Sequence, residues 1–261
     1  MSPSPQTIRP TEEFYSLLNQ AFDHFNDELF DRNLPSCLLT VQRESNTLGY
    51  FSPDRWGNRE GLKAHEIAMN PAYFASHSLI EVLQTLVHEQ CHLWQQVFGQ
   101  RKSRTGYHNR EWAAKMESIG LMPSHSGLPG GKRTGQQMSD YPLPGGRFLN
   151  SCENLVKNGF VLSWIDRIPA TNDCSQVRGA TEHIIEHPEN EELELILHTR
   201  IEELVPDITP LEVVLQDKVN KNKTTYRCEQ CDNKVWGKPG LEIACVPCEK
   251  IYTEVSFLVS D

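Results

Sequence analysis

Residues 78–99 read SLIEVLQTLVHEQCHLWQQVFG, and this stretch decides how the rest of the chain is interpreted. Ser78 and Glu81 have the S-x-x-E spacing of a capping box, which marks a helix N-terminus. Gly99 is typical of the position just after a helix ends. Between these signals the apolar residues recur every three or four positions, at Leu79, Leu83, Leu86, Val87, Trp94 and Val97. The stretch therefore predicts one continuous amphipathic helix.

The middle of this helix carries the motif H-E-x-x-H at residues 88–92. On a helix His88 and His92 are about 6 Å apart along the axis and share one face, so their imidazoles can hold one metal ion. Glu89 projects beside that site, where its carboxylate can polarise a zinc-bound water and accept its proton as a general base. The alternative is a pair of structural histidines that hold no metal.

A third ligand is needed, because a catalytic zinc takes three protein ligands and keeps one position for water. The sequence YHNREW, residues 107–112, offers His108 just before a further predicted helix. Glu111 is the alternative and would give a His-His-Glu site. His108 could also serve only as a helix cap, and the residues alone leave this choice open.

Four cysteines near the other end have the spacing C-x2-C-x13-C-x2-C, which is typical of a zinc ribbon. Four thiolates close a tetrahedral shell and leave no position for a substrate, so this second zinc is expected to be structural and to stabilise a module with little core of its own. Two disulfides are the alternative. The residues concerned are Cys228, Cys231, Cys245 and Cys248.

Basic and aromatic residues in two places are candidates for contact with nucleic acid. Within the ribbon, Lys234, Trp236 and Lys238 could bind phosphates and stack on bases. The equal alternative is that the lysines offset the charge of the zinc–thiolate centre and that Trp236 covers the small core. Lys132 and Arg133 lie in the glycine-rich stretch GGKRTG, which could hold a phosphate but is also typical of an ordinary solvated turn.

The remaining elements follow from apolar spacing and from breaks rich in glycine and proline. Helical spacing predicts helices over 11–31, from 109 to 120, and over the acidic stretch 182–204. Short apolar runs predict strands that form a small antiparallel sheet, and a later strand over 160–168. The strands of the predicted sheet are Leu38–Gln42, Leu48–Ser52 and Glu66–Asn70. The fold class expected is α+β, with helices packed on a short sheet.

These signals suggest how the chain is divided. The expected parts are a flexible tail over 1–10, a metallopeptidase domain over 11–122, a Gly/Pro-rich linker or wrapping loop over 123–147, a connecting segment with an acidic helix over 148–217, and the four-cysteine ribbon over 218–261.

Composition excludes a membrane protein and does not exclude a nucleic-acid partner. The 261 residues have a net charge of −10 and contain no apolar run long enough to span a bilayer. Residues 171–217 alone carry a charge of −10, so the acidity is confined to one segment and is screened beyond about 8 Å. The N-terminus has no pattern of a secretory signal, which makes the cytoplasm the expected location.

Three stretches together resemble the bacterial SprT-like proteins, which are relatives of the Spartan proteases. They are HEQCHLWQQVFG, GYHNREWAAKMESIGLMPS and RCEQCDNKVWGKPGLEIACVPC, and the resemblance covers residues 12–122 and 224–252. It implies a zincin-type domain in which His88, His92 and His108 bind the catalytic zinc and Glu89 is the catalytic base. It also implies that the four cysteines of the ribbon bind the structural zinc.

The resemblance implies a zinc metalloendopeptidase that cleaves peptide bonds by a Glu-activated, zinc-bound water. Spartan proteases act on proteins crosslinked to DNA, so the resemblance also implies DNA–protein crosslink repair, with a protein substrate and DNA as partners. The basic and aromatic residues of the ribbon favour single-stranded DNA. The alternative is a nucleic-acid-associated zinc-binding protein with little proteolytic activity.

Overall fold

The computed structural model describes residues 9–44, 47–101, 103–104, 106–168, 191–204 and 224–255. The chain forms two compact units, Met1–Leu211 and Glu212–Asp261, and each is described by itself. Residues 1–8 of the predicted tail and 182–190 of the predicted acidic helix lie outside the described residues. Among the helices described, none combines the length and the apolar character that crossing a membrane requires.

Three helices of the first unit lie where the sequence predicts them. They are α1 (Pro10–Phe30), α2 (Leu79–Phe98) and α3 (Arg110–Ser118). The capping box of α2 is confirmed, since the backbone N–H and the hydroxyl of Ser78 both donate to the Glu81 carboxylate at 2.8 Å. At the other end the Gly99 N–H donates to the Gln95 carbonyl oxygen at 3.0 Å. The local signals therefore fix both ends of α2.

The sheet of the first unit is mixed, so the prediction of an antiparallel sheet is wrong. Its strands are β1 (Leu38–Val41), β2 (Gly49–Gly57) and β3 (Lys63–Met69), in the order β1-β3-β2. β2 and β3 form an antiparallel hairpin, whereas β1 pairs with β3 in parallel. The reason is the strand order: β1 and β2 run in opposite directions, and β3, with its buried Ile67 and Met69, lies between them. Because β3 is antiparallel to β2, it is parallel to β1.

The Gly/Pro-rich stretch after α3 folds back on the domain. β4 (Leu121–Ser124) pairs antiparallel with β5 (Ser139–Pro142), and helix α4 (Arg147–Lys157) follows. The ring of Phe148 on α4 stacks on that of Phe25 on α1, with centroids 6.0 Å apart. The core of the first unit thus continues past residue 122.

The acidic stretch and the predicted later strand differ from expectation. The described part of the acidic stretch forms α5 (Glu191–His198) and α6 (Ile201–Leu204), and their apolar side is buried through Leu193, Leu197 and Ile201. The prediction of a strand over 160–168 is wrong, because these residues form neither strand nor helix. Phe160 and Leu162 enter the core directly, and this burial accounts for the apolar pattern without strand pairing.

The second unit is a small module of short strands. β6 (Thr224–Arg227), β7 (Lys234–Gly237) and β10 (Thr253–Val255) form a three-stranded sheet in the order β10-β6-β7, and β8 (Ala244–Cys245) pairs with β9 (Lys250–Ile251). Its buried core consists of Tyr226, Cys228, Cys245 and Tyr252. A core of this size stabilises little by itself, which makes a metal or covalent link necessary for stability.

Candidate metal centres

Three imidazoles converge at one point of the first unit. The Nε2 atoms of His92 and His108 are 3.0 Å apart, and those of His108 and His88 are 3.3 Å apart. His88 and His92 lie one turn apart on α2, and His108 comes from the loop before α3. The ligand atoms of these three histidines all lie within 4.8 Å of one another, which is close enough to hold one metal ion.

Asn109 ties the loop that carries His108 to both helices. Its side-chain oxygen accepts a hydrogen bond from the Trp112 N–H at 3.0 Å, which caps the N-terminus of α3. The same oxygen accepts one from Gln95 Nε2 of α2 at 2.7 Å. The residue next to His108 is thereby held against the helix that carries the other two histidines.

Glu111, the alternative third ligand, faces away from the imidazoles. Its two carboxylate oxygens accept the backbone N–H groups of Gln100 and Arg101 at 2.8 and 2.9 Å. These bonds lower the pKa of Glu111 and hold the loop between α2 and α3. Glu111 therefore has a structural task, and the structure brings His108 to His88 and His92.

The three histidines fit a zinc ion in spacing and in donor type. Nitrogen ligands at about 2.0–2.1 Å from a tetrahedral zinc lie about 3.3 Å from one another. The two Nε2 separations of 3.0 and 3.3 Å are close to that value. Three lone pairs that point at one another repel unless a cation lies between them, so the arrangement suits a bound cation.

Burial keeps two of these histidines neutral. It is the main cause that lowers the pKa of His92 well below its ordinary value and that of His108 to about 3, and the neighbouring His88 adds to both effects. For His88 burial acts in the same direction, but Asp140 and Glu89 outweigh it and raise its pKa. A neutral imidazole is the form that binds a metal.

Glu89 is buried beside this group, with 7% of its surface exposed. Burial is the largest cause that raises the pKa of its carboxyl to about 7, and His88 and the Phe51 N–H partly oppose it. A carboxylate whose pKa lies near neutrality can both accept and release a proton at physiological pH. The Phe51 hydrogen bond also shows that β2 runs next to the catalytic candidate.

The ring of Trp112 packs against all three imidazoles on one side of the site. Its ring centroid lies 4.4 Å from that of His108, 4.9 Å from His88 and 5.2 Å from His92, and it is fully buried. An apolar layer at this distance excludes water from one side of the site. The helical spacing of α3 predicts that Trp112 is buried, but only the structure shows what it covers.

Two contacts from the Gly/Pro-rich stretch were missed by the sequence analysis. The Asp140 carboxylate on β5 lies 2.8 Å from His88 Nδ1. The Gly135 carbonyl oxygen lies 3.4 Å from His108 Nδ1, and the backbones of these two residues form an isolated bridge. Asp140 has no periodic or motif signal, and the GGKRTG stretch that ends at Gly135 gives no sign of a contact with His108, so only the return of β5 along β4 reveals both contacts.

The four ribbon cysteines also lie together. All four Sγ atoms are within 4.8 Å of one another, and those of Cys231 and Cys245 are 3.7 Å apart. Sulphur ligands at about 2.3 Å from a tetrahedral zinc lie about 3.8 Å apart, whereas a disulfide needs about 2.05 Å. A hydrogen bond from the Cys231 N–H is the main cause that lowers the pKa of Cys228 to about 7. The group therefore fits a zinc ion better than two disulfides.

The residues that are candidates for contact with nucleic acid differ in their exposure and in their ion pairs. Lys234 and Trp236 alternate along β7 and are both exposed, Trp236 to 69%. Trp236 thus does not cover the core of the ribbon. Lys238 is exposed as well. In the other unit the Arg133 guanidinium is paired with the Glu117 carboxylate, and Lys132 is exposed in a turn that closes on His125.

The α+β unit with its buried histidine group and glutamate defines a metallopeptidase-like domain, and a second unit carries a four-cysteine group that could bind metal. The model of the SprT-like family matches residues 18–132. An uncharacterized protein in the mucB 3' region of Salmonella typhimurium is 51% identical over 59 residues, which cover 22% of this chain and 80% of that protein. This chain belongs to the SprT-like family. No solved structure matches it.

Proposed function

We propose that this protein is a zinc-dependent metalloendopeptidase. The observation that carries the proposal is the convergence of three Nε2 atoms beside the buried carboxylate of Glu89. In this proposal His88, His92 and His108 hold the catalytic zinc, and the four ribbon cysteines hold a structural zinc. The chemistry that zinc supplies when bound at such a site is polarisation of the scissile carbonyl and acidification of water.

Glu89 moves the proton in this mechanism. Its carboxylate takes a proton from the attacking water and then delivers it to the nitrogen of the leaving amine. Both steps need a group with a pKa near neutrality, and burial gives Glu89 a pKa of about 7. The apolar ring of Trp112 supports this role, because excluding water from one side of the site strengthens the electrostatic interactions within it.

Strand β2 is the element that we propose aligns the substrate. The central strand β3 is paired on both sides and has no free edge for a peptide. β2 is an edge of the sheet, no described strand pairs with its other side, and the Phe51 N–H reaches Glu89. An extended peptide added to this edge would lie beside the general base.

Gly49→Ala tests the placement of β2. A Cβ atom at position 49 would lie 2.9 Å from the Ala68 oxygen and 3.0 Å from Thr85 Cγ2 of α2, so β2 must move away from α2. We expect kcat/KM for peptide cleavage to fall about 10-fold or more, because misplacement by about 1 Å can cost 10²-fold. Gly57→Ala on the same strand is the control, since its Cβ would meet only the Leu62 oxygen at 3.9 Å. Equal activity of the two variants would contradict the proposal for β2.

Metal removal tests the peptidase itself. Purified full-length protein is expected to contain two zinc ions per chain, to cleave casein, to lose cleavage when a chelator removes the metal, and to regain it when zinc is restored. Metal content by plasma emission and casein fragments on gels measure both properties. Cleavage that survives complete removal of zinc would contradict the proposal.

A second candidate function rests on the exposed surface of the ribbon. Lys234, Trp236 and Lys238 offer two cations and an exposed aromatic ring, which suits single-stranded nucleic acid. If the protein is a peptidase, this surface supports DNA-associated or DNA-crosslinked proteins as its substrates. If it has no peptidase activity, it would be a nucleic-acid-associated zinc protein. The casein assay repeated with single-stranded DNA separates these cases: DNA-stimulated cleavage supports the first, and DNA binding without any cleavage supports the second.

A further inference from the structure

We propose that Asp140 is the positioning residue of the histidine site, and that it fixes the tautomer and the orientation of His88. This inference rests on the proposed function, since it concerns how the same site holds its metal. The family match ends at residue 132, so Asp140 lies outside the part of the chain that the comparison covers.

The contact is short, buried and part of a larger arrangement. Asp140 Oδ2 lies 2.8 Å from His88 Nδ1, and the side chains are 4% and 13% exposed. The other carboxylate oxygen, Oδ1, accepts a hydrogen bond from Gln84 Nε2 at 2.8 Å. Gln84 Nε2 also donates to the backbone oxygen of Asp140 at 2.8 Å. Since Gln84 and His88 are one turn apart on α2, Asp140 is held from two successive turns of the same helix.

The chemistry of the carboxylate decides the tautomer of His88. An ionised carboxylate can only accept hydrogen bonds, so His88 Nδ1 must carry the proton that it shares with Asp140. In the neutral ring the Nε2 atom is then unprotonated and has a free lone pair. This atom faces His108 Nε2 at 3.3 Å, in the metal-binding group. A carboxylate behind a ligand histidine also makes the imidazole a stronger metal ligand.

The Gly/Pro-rich stretch also contacts a second candidate ligand, His108, at a longer distance. The Gly135 carbonyl oxygen lies 3.4 Å from His108 Nδ1 and favours the same tautomer there. Gly135 acts through its backbone, so no side-chain substitution removes that contact. Among the described residues, Asp140 is the only charged hydrogen-bond partner of a ligand imidazole, which makes it the residue to test.

A purely structural role for Asp140 would be the link between β5 and α2. Gln84→Met separates the two roles: it removes both hydrogen bonds from Gln84 and leaves the contact between Asp140 and His88. Asp140→Asn keeps the size of the side chain but turns an NH2 group toward one of the two groups that now donate to the carboxylate, His88 Nδ1 or Gln84 Nε2. Where the NH2 group faces His88, Nδ1 must become the acceptor and Nε2 is protonated, which prevents it from binding metal.

The experiment measures the zinc affinity of the histidine site in the full-length chain by competition with a chromophoric chelator. We expect Asp140→Asn to weaken this site 10- to 100-fold. Gln84→Met should weaken it less than about 3-fold, because the contact between Asp140 and His88 remains.

Asp166→Asn is a matched control, since it makes the same chemical change at a carboxylate that pairs with Arg43. The cysteine site in the same chain should keep its affinity in every variant. Equal affinity of the histidine site in wild type and Asp140→Asn would overturn the proposal, as would an equal loss in Gln84→Met.

The wild-type chain supplies a test that does not depend on how the variants fold. Recorded on zinc-free protein at a pH above the raised pKa of His88, long-range ¹H–¹⁵N correlation spectra should show a protonated Nδ1 and an unprotonated Nε2 for His88. A protonated Nε2 would overturn the proposal. If the tautomer is as expected but the zinc-loaded wild type does not cleave protein, the proposed function fails and the positioning role of Asp140 stands.

Discussion

Glu89→Gln is expected to lower kcat for peptide cleavage by about 10²- to 10⁴-fold, which is the contribution of a well-placed general acid–base group. An amide of the same size cannot take a proton from water or pass one to the leaving amine. The three imidazoles do not depend on the Glu89 carboxylate for their arrangement, so the variant should still contain two zinc ions per chain. Initial rates on casein, with metal content measured on the same sample, test both statements.

The control for this variant is Glu153→Gln. It makes the same substitution on α4, where the carboxylate pairs with Lys157 at the surface. Its rate should match that of the wild type. If Glu89→Gln cleaves casein as fast as Glu153→Gln, Glu89 is not the general base and the proposed mechanism is wrong.

Cys245→Ser is expected to remove the ribbon zinc and to unfold the second unit. Zinc bound by four thiolates contributes about 10–16 kcal/mol of apparent binding free energy, and this is folding free energy for a module that has little else to stabilise it. The buried core of the ribbon contains two of the four cysteines themselves, so loss of the metal also disrupts the packing around Tyr226 and Tyr252. Zinc content should fall from two ions to one.

Limited proteolysis and amide exchange over 224–255 report the state of the ribbon in this variant. Cys37→Ser, in the first unit, is the matched control and should keep both zinc ions and the wild-type cleavage pattern. A Cys245→Ser chain that keeps two zinc ions, or whose ribbon stays protected, would show that the four cysteines do not form the metal site.

Local signals were enough to predict the helices that build the histidine site. The capping box at Ser78 and Glu81, the apolar spacing and Gly99 all lie within one continuous stretch, and the structure confirms both ends of α2. The placement of His88 and His92 on one face follows from helix geometry alone. The spacing of the four cysteines likewise predicted that their sulphur atoms lie together, and they do.

The third histidine is an intermediate case. The residues left His108 and Glu111 as alternatives, because a sequence does not say which side chain of a loop turns inward. The resemblance to a family favoured His108. In the structure Glu111 is held by the N–H groups of Gln100 and Arg101, and this competition for hydrogen bonds turns it away from His88 and His92.

The sequence by itself determined the histidine and cysteine motifs, helices α1 to α3 and the mixed α+β class of this protein, because each depends on residues close together in the chain. Only the tertiary structure decided the parallel pairing of β1 with the central strand β3 and the approach of Asp140, which is 52 positions from His88. Both depend on which surfaces are buried against each other, and a Gly/Pro-rich stretch carries no periodicity from which that burial could be predicted.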